Sequence, residues 1–181
     1  AAGDIPVVYY QTLRAKRRVD SPLLGELCRQ IPTLIGMKDN QADGATFQAM
    51  RSDAPALSIF GADCRLIERM TAGGRGTYSS LAGLHPGQML RYYELCEQGR
   101  FDEAVSLERT FQRLMEKVLI PMVRDEQLYD SAVDRVQRMA GGGVCGLRCA
   151  RPYRSPTQEH VARVTDWCRL NAPELLASPQ Y

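Results

Sequence analysis

The sequence predicts an α/β fold: parallel strands separated by helices in the first half, then helices alone. Three observations carry this. Four short, continuous strand-like segments fall within the first 80 residues, the first three of them largely apolar, as strands buried on both faces are. Helix-like segments separate them, the signature of βα units. From His85 onward every periodic segment has helical spacing.

The elements follow in order. Pro6-Val7-Val8-Tyr9-Tyr10 is an apolar run bounded by turn formers and reads as the first strand. Ser21 as N-cap and Pro22 at the first helical position open a helix to about Gln30. Thr33 to Met37 is a second strand, ending at Lys38, and Asp43 to Arg51 a short helix. Ala56 to Phe60 is a third strand, stopped by Gly61, and Asp63 to Thr71 is helical until Ala72-Gly73-Gly74 ends it. Gly76 to Ser80 is the fourth strand. His85-Pro86 then opens a helix to about Gln98, and Phe101 to about Leu119 is amphipathic. Met122 to Ala140 reads as one helix, ended by three glycines. Ser155-Pro156-Thr157-Gln158 combines an N-cap, a proline in the first turn and a capping-box Gln, opening a last helix to about Asn171. Two architectures fit: an open four-stranded sheet with helices on both faces, or half of a closed barrel, which needs eight strands and about 250 residues.

The 181 residues are 44% hydrophobic and 24% charged, the composition of a globular chain rather than a disordered one. A formal net charge of +2 gives no basic field for nucleic acid, and no apolar run reaches the roughly 20 residues of a membrane-spanning helix. The six cysteines (28, 64, 96, 145, 149 and 168) read as reduced thiols of a cytoplasmic protein, because the chain is long and apolar enough to need no staples. His85 and His160 lack metal-ligand spacing to them. The basic residues are lopsided: twenty arginines against Lys16, Lys38 and Lys117. Arg cannot give up its proton in a protein and a buried Lys can, so each lysine merits inspection.

Lys38 stands at the carboxyl end of a strand, where parallel α/β folds place their sites. Desolvation there would make its amine a nucleophile toward a carbonyl. The alternative is a strand-end Lys that snorkels to water and pairs with Asp39. Tyr10 ends the preceding strand on the same rim and could move protons, whereas Tyr9 must face the other way and reads as core. Arg14, in the loop after the first strand, could clamp a carboxylate; Arg17 and Arg18 read as a solvated basic loop. Ser79 and Ser80 offer hydroxyls at the end of the fourth strand, and His85 reads as a loop residue before a helix.

These residues resemble the carboxyl-terminal half of the dihydrodipicolinate synthase / N-acetylneuraminate lyase family, Schiff-base-forming (β/α)₈ barrels that act on 2-oxo acids. Pro6-Val7-Val8-Tyr9-Tyr10 resembles strand five, with Tyr10 as the proton-relay tyrosine. Ile35-Gly36-Met37-Lys38-Asp39, 28 residues on, resembles strand six, with Lys38 as the imine-forming lysine. Gly61 matches the glycine that ends strand seven. Gly76 to Ser80 with Pro86 resembles strand eight and its helix. Thr77-Tyr78-Ser79-Ser80 and Leu34 to Asp39 are most similar to the 5-dehydro-4-deoxyglucarate dehydratase branch. The chain departs from the pattern at Gln11 and Gly83, where Asn is usual, and Arg14 lies near the usual carboxylate-binding Arg.

The resemblance implies a TIM barrel of which residues 1–98 supply strands five to eight, with residues 99–181 as a helical extension. It implies a lysine-dependent lyase on a 2-oxo acid, of dehydratase or aldolase type. Dihydrodipicolinate synthase proper or another aldolase of the family is the alternative, and a non-catalytic half-barrel partner or regulatory subunit the alternative of another class. Lys38 and Tyr10 would be catalytic, and Arg14, Gly61, Ser79 and Ser80 would bind substrate. No metal or organic cofactor is implied, nor any nucleic-acid or membrane partner, and a homo-oligomer (dimer or tetramer) is expected. Strands one to four are expected from the same polypeptide or another chain, because strands 6–10 and 76–80 would otherwise be bare edges.

Overall fold

The structure, a computed structural model, describes residues 3–12 and 14–176. The chain forms two compact units, residues 1–78 and 79–181.

The first unit holds four parallel strands, β1 (Val7–Gln11), β2 (Leu34–Asp39), β3 (Ser58–Gly61) and β4 (Gly76–Thr77), in the sheet order β1-β2-β3-β4. Sequential order means each strand is added on the same side of the last, whereas a doubly wound sheet reverses at a switch point. The crossovers carry α1 (Ser21–Gln30), α2 (Gly44–Asp53) and α3 (Leu66–Thr71). Leu24 of α1, Phe47 and Met50 of α2, Met37 of β2 and Ile59 of β3 form one buried cluster, so α1 and α2 share a face of the sheet. On the opposite face Val8, Tyr10 and Tyr78 stay 43%, 47% and 49% exposed. The expected edges, β1 and β4, are the edges of this sheet.

Local chemistry moves several expected boundaries. Asp20, not Ser21, caps α1, its carboxylate accepting from the Leu23 amide at 3.0 Å. Asp43 caps α2 by accepting from the Thr46 amide at 2.8 Å. α3 starts at Leu66 rather than Asp63, and β4 stops at Thr77 rather than Ser80. Just beyond its end, the Tyr78 carbonyl accepts from the Lys38 ammonium.

The second unit is helical: α4 (Pro86–Glu97), α5 (Phe101–Leu114), α6 (Ile120–Arg124), α7 (Asp130–Ala140) and α8 (Gln158–Asn171). His85 caps α4, its Nδ1 accepting from the Gln88 amide at 3.1 Å. Tyr92 of α4 and Phe111 of α5 pack with ring centroids 5.7 Å apart. Residues 115–119 widen into a π turn closed by the Ile120 amide on the Met115 carbonyl. Pro121 has no N–H to give the Lys117 carbonyl, so the regular ladder cannot pass through this point.

The helix expected over 122–140 is broken at 125–129. Gln127 takes a left-handed φ of 57°, and the Leu128 amide turns back to the Met122 carbonyl at 3.0 Å, burying Leu128 completely. Glu126 is held by α8, accepting from Arg163 at 2.6 Å and from His160 Nε2 at 3.0 Å. The start of α8 also differs from expectation. Thr157 is the N-cap and His160, not a Gln, completes the capping box, while the Ser155 hydroxyl accepts from the Cys149 amide at 2.9 Å.

The Arg163 hydrogen bond, with its charge and that of His160, holds the Glu126 carboxyl below its ordinary value of 4.5. A depressed carboxylate contributes stability present above the unfolded pKa and lost as pH falls through the folded one. Arg163→Met should therefore lower the melting temperature near pH 7, by ~2 °C for so exposed a pair. The gap from wild type should close by pH 3 in thermal melts. A gap of equal size at both pH values would show that Arg163 acts through packing.

Candidate active site

Lys38 and Tyr10 are register partners across β1 and β2. Partners in a parallel pair point to the same face, so both leave the helix-covered side. The Lys38 Nζ lies 4.7 Å from the centroid of the Tyr10 ring and 6.0 Å from that of Tyr78. It donates to the Tyr78 carbonyl at 3.2 Å. Tyr78 in turn packs on Phe60, with centroids 4.7 Å apart and planes tilted by 57°. An ammonium over ring faces gains about 0.5–1 kcal/mol at an exposed site while its protons stay accessible. The arrangement is a half-exposed amine at a strand end with a phenol ring beside it.

Tyr9 faces the other way, packed against the α1/α2 cluster. So do the next residues along each strand, Gln11 and Asp39, both completely buried. Asp39 does not pair with Lys38. Its carboxylate accepts from Gln11 Nε2 at 2.9 Å, from Arg18 at 2.8 Å, and from the amides of Gln41 and Ala42 at 2.7 and 3.1 Å. Arg18, expected in a solvated loop, is thus half of an ion pair with a buried acid. Strand alternation, applied to Asp39 as to Tyr9, carries this signal in the sequence.

Arg14 is exposed in the loop after β1, its amide donating to the Thr12 hydroxyl at 2.9 Å. Gly61 ends β3, and its carbonyl accepts from the Thr77 hydroxyl at 3.0 Å. A side chain at Gly61 would run into Arg69, whose Cγ lies 2.5 Å from the added Cβ. Arg69 is completely buried, donates to the carbonyls of Ala42 and Asp43, and stacks on Phe47. Ser79 and Ser80 belong to the second unit, where the buried Ser79 hydroxyl has no hydrogen-bond partner among the described residues and the Ser80 carbonyl accepts from the Gly83 amide at 2.9 Å. The structure therefore brings Lys38 and Tyr10 together. It adds Tyr78, which the sequence reading passed over in favour of the neighbouring serines. None of the six cysteines is in a disulfide, and burial pushes the thiols of Cys96 and Cys168 up to about 11. Among the described residues no group of three or more His, Cys, Asp or Glu could hold a metal ion.

A sequence model of the dihydrodipicolinate synthetase family matches residues 1–159. The chain belongs to this family. A 4-hydroxy-tetrahydrodipicolinate synthase of Methanospirillum hungatei is 24% identical over 167 residues, covering 90% of this chain and 53% of that protein. The crystal structure of dihydrodipicolinate synthase from Aquifex aeolicus matches with a TM-score of 0.77 at 16% identity, covering 92% of this chain and 55% of that one. N-acetylneuraminate lyase from Fusobacterium nucleatum matches with a TM-score of 0.69 at 18% identity, covering 92% and 55%. The fold is that of the dihydrodipicolinate synthase (β/α)₈ barrel, and the chain spans about half the length of the relatives it matches. Among the described residues no helix is long and apolar enough to cross a membrane.

Within this family fold, the Gly61–Arg69 contact sets a stability test. Gly61→Ala must displace a buried arginine and should cost about 1–3 kcal/mol, the usual price of overpacking. Urea unfolding would show it as a lower midpoint with an unchanged slope. An unaltered midpoint would mean that Arg69 moves aside freely.

Proposed function

We propose that this chain carries the reactive lysine of a Schiff-base lyase acting on a 2-oxo acid. The observation that supports it is the Lys38 amine at the end of β2, 4.7 Å from the Tyr10 ring. In this reading the chain supplies strands five to eight of the barrel, residues 99–181 are its helical extension, and strands one to four come from the same polypeptide or another chain.

The deprotonated Lys38 Nζ attacks the ketone carbon, and the carbonyl oxygen takes up a proton to give a carbinolamine. Tyr10 passes a proton to the leaving hydroxyl, water departs, and the imine forms. The protonated imine accepts the electron pair of a neighbouring C–H or C–C bond, which releases a proton or cleaves the chain. The resulting enamine then expels a leaving group or takes up an electrophile. The lysine itself provides the electron sink, so the chemistry calls for no metal or organic cofactor. By resemblance to the family, Arg14 binds the substrate carboxylate, and Gly61, Ser79 and Ser80 complete the binding set. Dehydration of a sugar-derived 2-oxo acid is favoured by Thr77-Tyr78-Ser79-Ser80. The name of the Methanospirillum relative supports a synthase instead. A cytoplasmic homo-oligomer, dimer or tetramer, completes the proposal.

Two experiments test it. Incubation with pyruvate under borohydride, followed by peptide mapping, should place the reduced adduct on Lys38, and Lys38→Ala should abolish it. An adduct on Lys16 or Lys117 would overturn the assignment, and none at all would favour a non-catalytic half-barrel. Tyr10→Phe should slow adduct formation on the order of 10²-fold, the range of a positioned acid–base group. Tyr9→Phe should mainly perturb packing; a larger loss of rate there than at Tyr10 would invert the assigned roles.

A further inference from the structure

Directly behind the Lys38–Tyr10 pair lies a second cross-strand pair. Gln11 and Asp39 follow Tyr10 and Lys38 by one residue, are themselves register partners, and project to the helix-covered face. Gln11 uses both ends of its amide: Nε2 donates to Asp39 at 2.9 Å, and Oε1 accepts from the Val19 amide at 2.6 Å. Asp39 takes four donors, and one of them, Arg18, also reaches Gln41 at 2.6 Å. The set joins three pieces of chain: the end of β1, the end of β2, and the loop containing Arg14, Arg18 and Val19.

We propose that Asp39, Arg18 and Gln11 form a positioning network that keeps Lys38 opposite Tyr10 and holds the Arg14 loop against the same rim. It deepens the imine-forming reading of the site and rests on it. The network acts where a small error matters most. A slip of one residue between β1 and β2 would turn every side chain of the slipped strand to the other face, separating the phenol from the amine. The Gln11–Asp39 bond crosses the two strands one residue beyond that pair and opposes the slip. Buried ion pairs are weak evidence for stability, because apolar residues of similar volume often do as well, and fixing a unique arrangement is their best-attested use. Gln11 departs from the Asn of the family pattern, yet it faces away from the amine. Its extra methylene extends the amide toward Asp39 and Val19 rather than reshaping the surface around Lys38.

Arg18, 45% exposed, is the member whose loss the fold should best survive. The test compares Arg18→Ala, Arg18→Lys and, as a control, Arg17→Ala in the full chain. Hydrogen exchange at the Val19 amide should rise about tenfold or more in Arg18→Ala, the scale of one charge-assisted hydrogen bond, and recover in part in Arg18→Lys. The pyruvate concentration that half-saturates borohydride trapping should rise by about the same factor, with trapping at saturation within roughly threefold of wild type. Arg17→Ala should leave both unchanged. Val19 exchange in Arg18→Ala equal to wild type would overturn the network. So would a loss of trapping at saturation with half-saturation unchanged, which is what a partly unfolded protein gives. Faster exchange in Arg18→Ala with no adduct in wild type would instead overturn the imine reading while confirming the hold on the loop.

Discussion

Parallel pairing of β1 with β2 in the register Tyr10↔Lys38 is the constraint on which the site depends. Partners in a parallel ladder share a face and neighbours along a strand do not. Four consecutive-pair residues are thereby sorted into two jobs. Tyr10 and Lys38 emerge where β1 to β4 leave a surface free of α1 and α2, and Gln11 and Asp39 enter the layer beneath those helices. Neither pair could keep its role if the strands were offset by one residue. The same parallel register extends across the sheet: Lys38 is the partner of Phe60, whose ring packs on Tyr78.

The division of labour between lysine and arginine follows from their chemistry. Polar groups at the ends of the loops are bridged by planar guanidiniums, which give several directed donors without risk of deprotonation. Arg18 bridges Asp39 and Gln41, Arg51 reaches the carbonyls of Pro55 and Leu57, and Arg69 ties the carbonyls after β2 to the glycine that ends β3. Lys38 is treated differently. Among the described residues it has a carbonyl and two ring faces but no carboxylate in hydrogen-bond reach, and its contacts leave the amine half-exposed. In a chain of twenty arginines and three lysines, the proposed imine chemistry falls on a lysine because a guanidinium cannot give up its proton.

The first three strands were legible because parallel strands of α/β folds read as near-continuous apolar runs, here punctuated by Pro6 and Gly61, and the fourth because the Gly73-Gly74 pair ends the helix before it. That Tyr9 and Tyr10 face opposite ways was legible from the period of two; which of them meets the helices is read from the packing of Tyr9 on the α1/α2 cluster. The break at 125–129 was not, because Asp125-Glu126-Gln127-Leu128-Tyr129 contains neither Gly nor Pro. That break is a tertiary effect, in which Leu128 enters the core and Glu126 answers Arg163 and His160. Caps were misplaced by one or two residues wherever two capping residues stood close together, as at Asp20-Ser21 and Ser155–Thr157. The Tyr78 contact was out of reach for a different reason: its hydrogen-bonding group is a backbone carbonyl, which every residue carries.

The most direct measurement of the central claim uses the three lysines as one another's controls. The folded chain is treated with a trace of an amine-acylating reagent, with and without pyruvate, and the extent of modification at Lys16, Lys38 and Lys117 is read by mass spectrometry. If Lys38 is the carbonyl-binding amine, pyruvate should protect it alone, leaving the exposed Lys16 and Lys117 at their unliganded rates. Equal modification of Lys38 with and without pyruvate, or protection of all three lysines together, would contradict it.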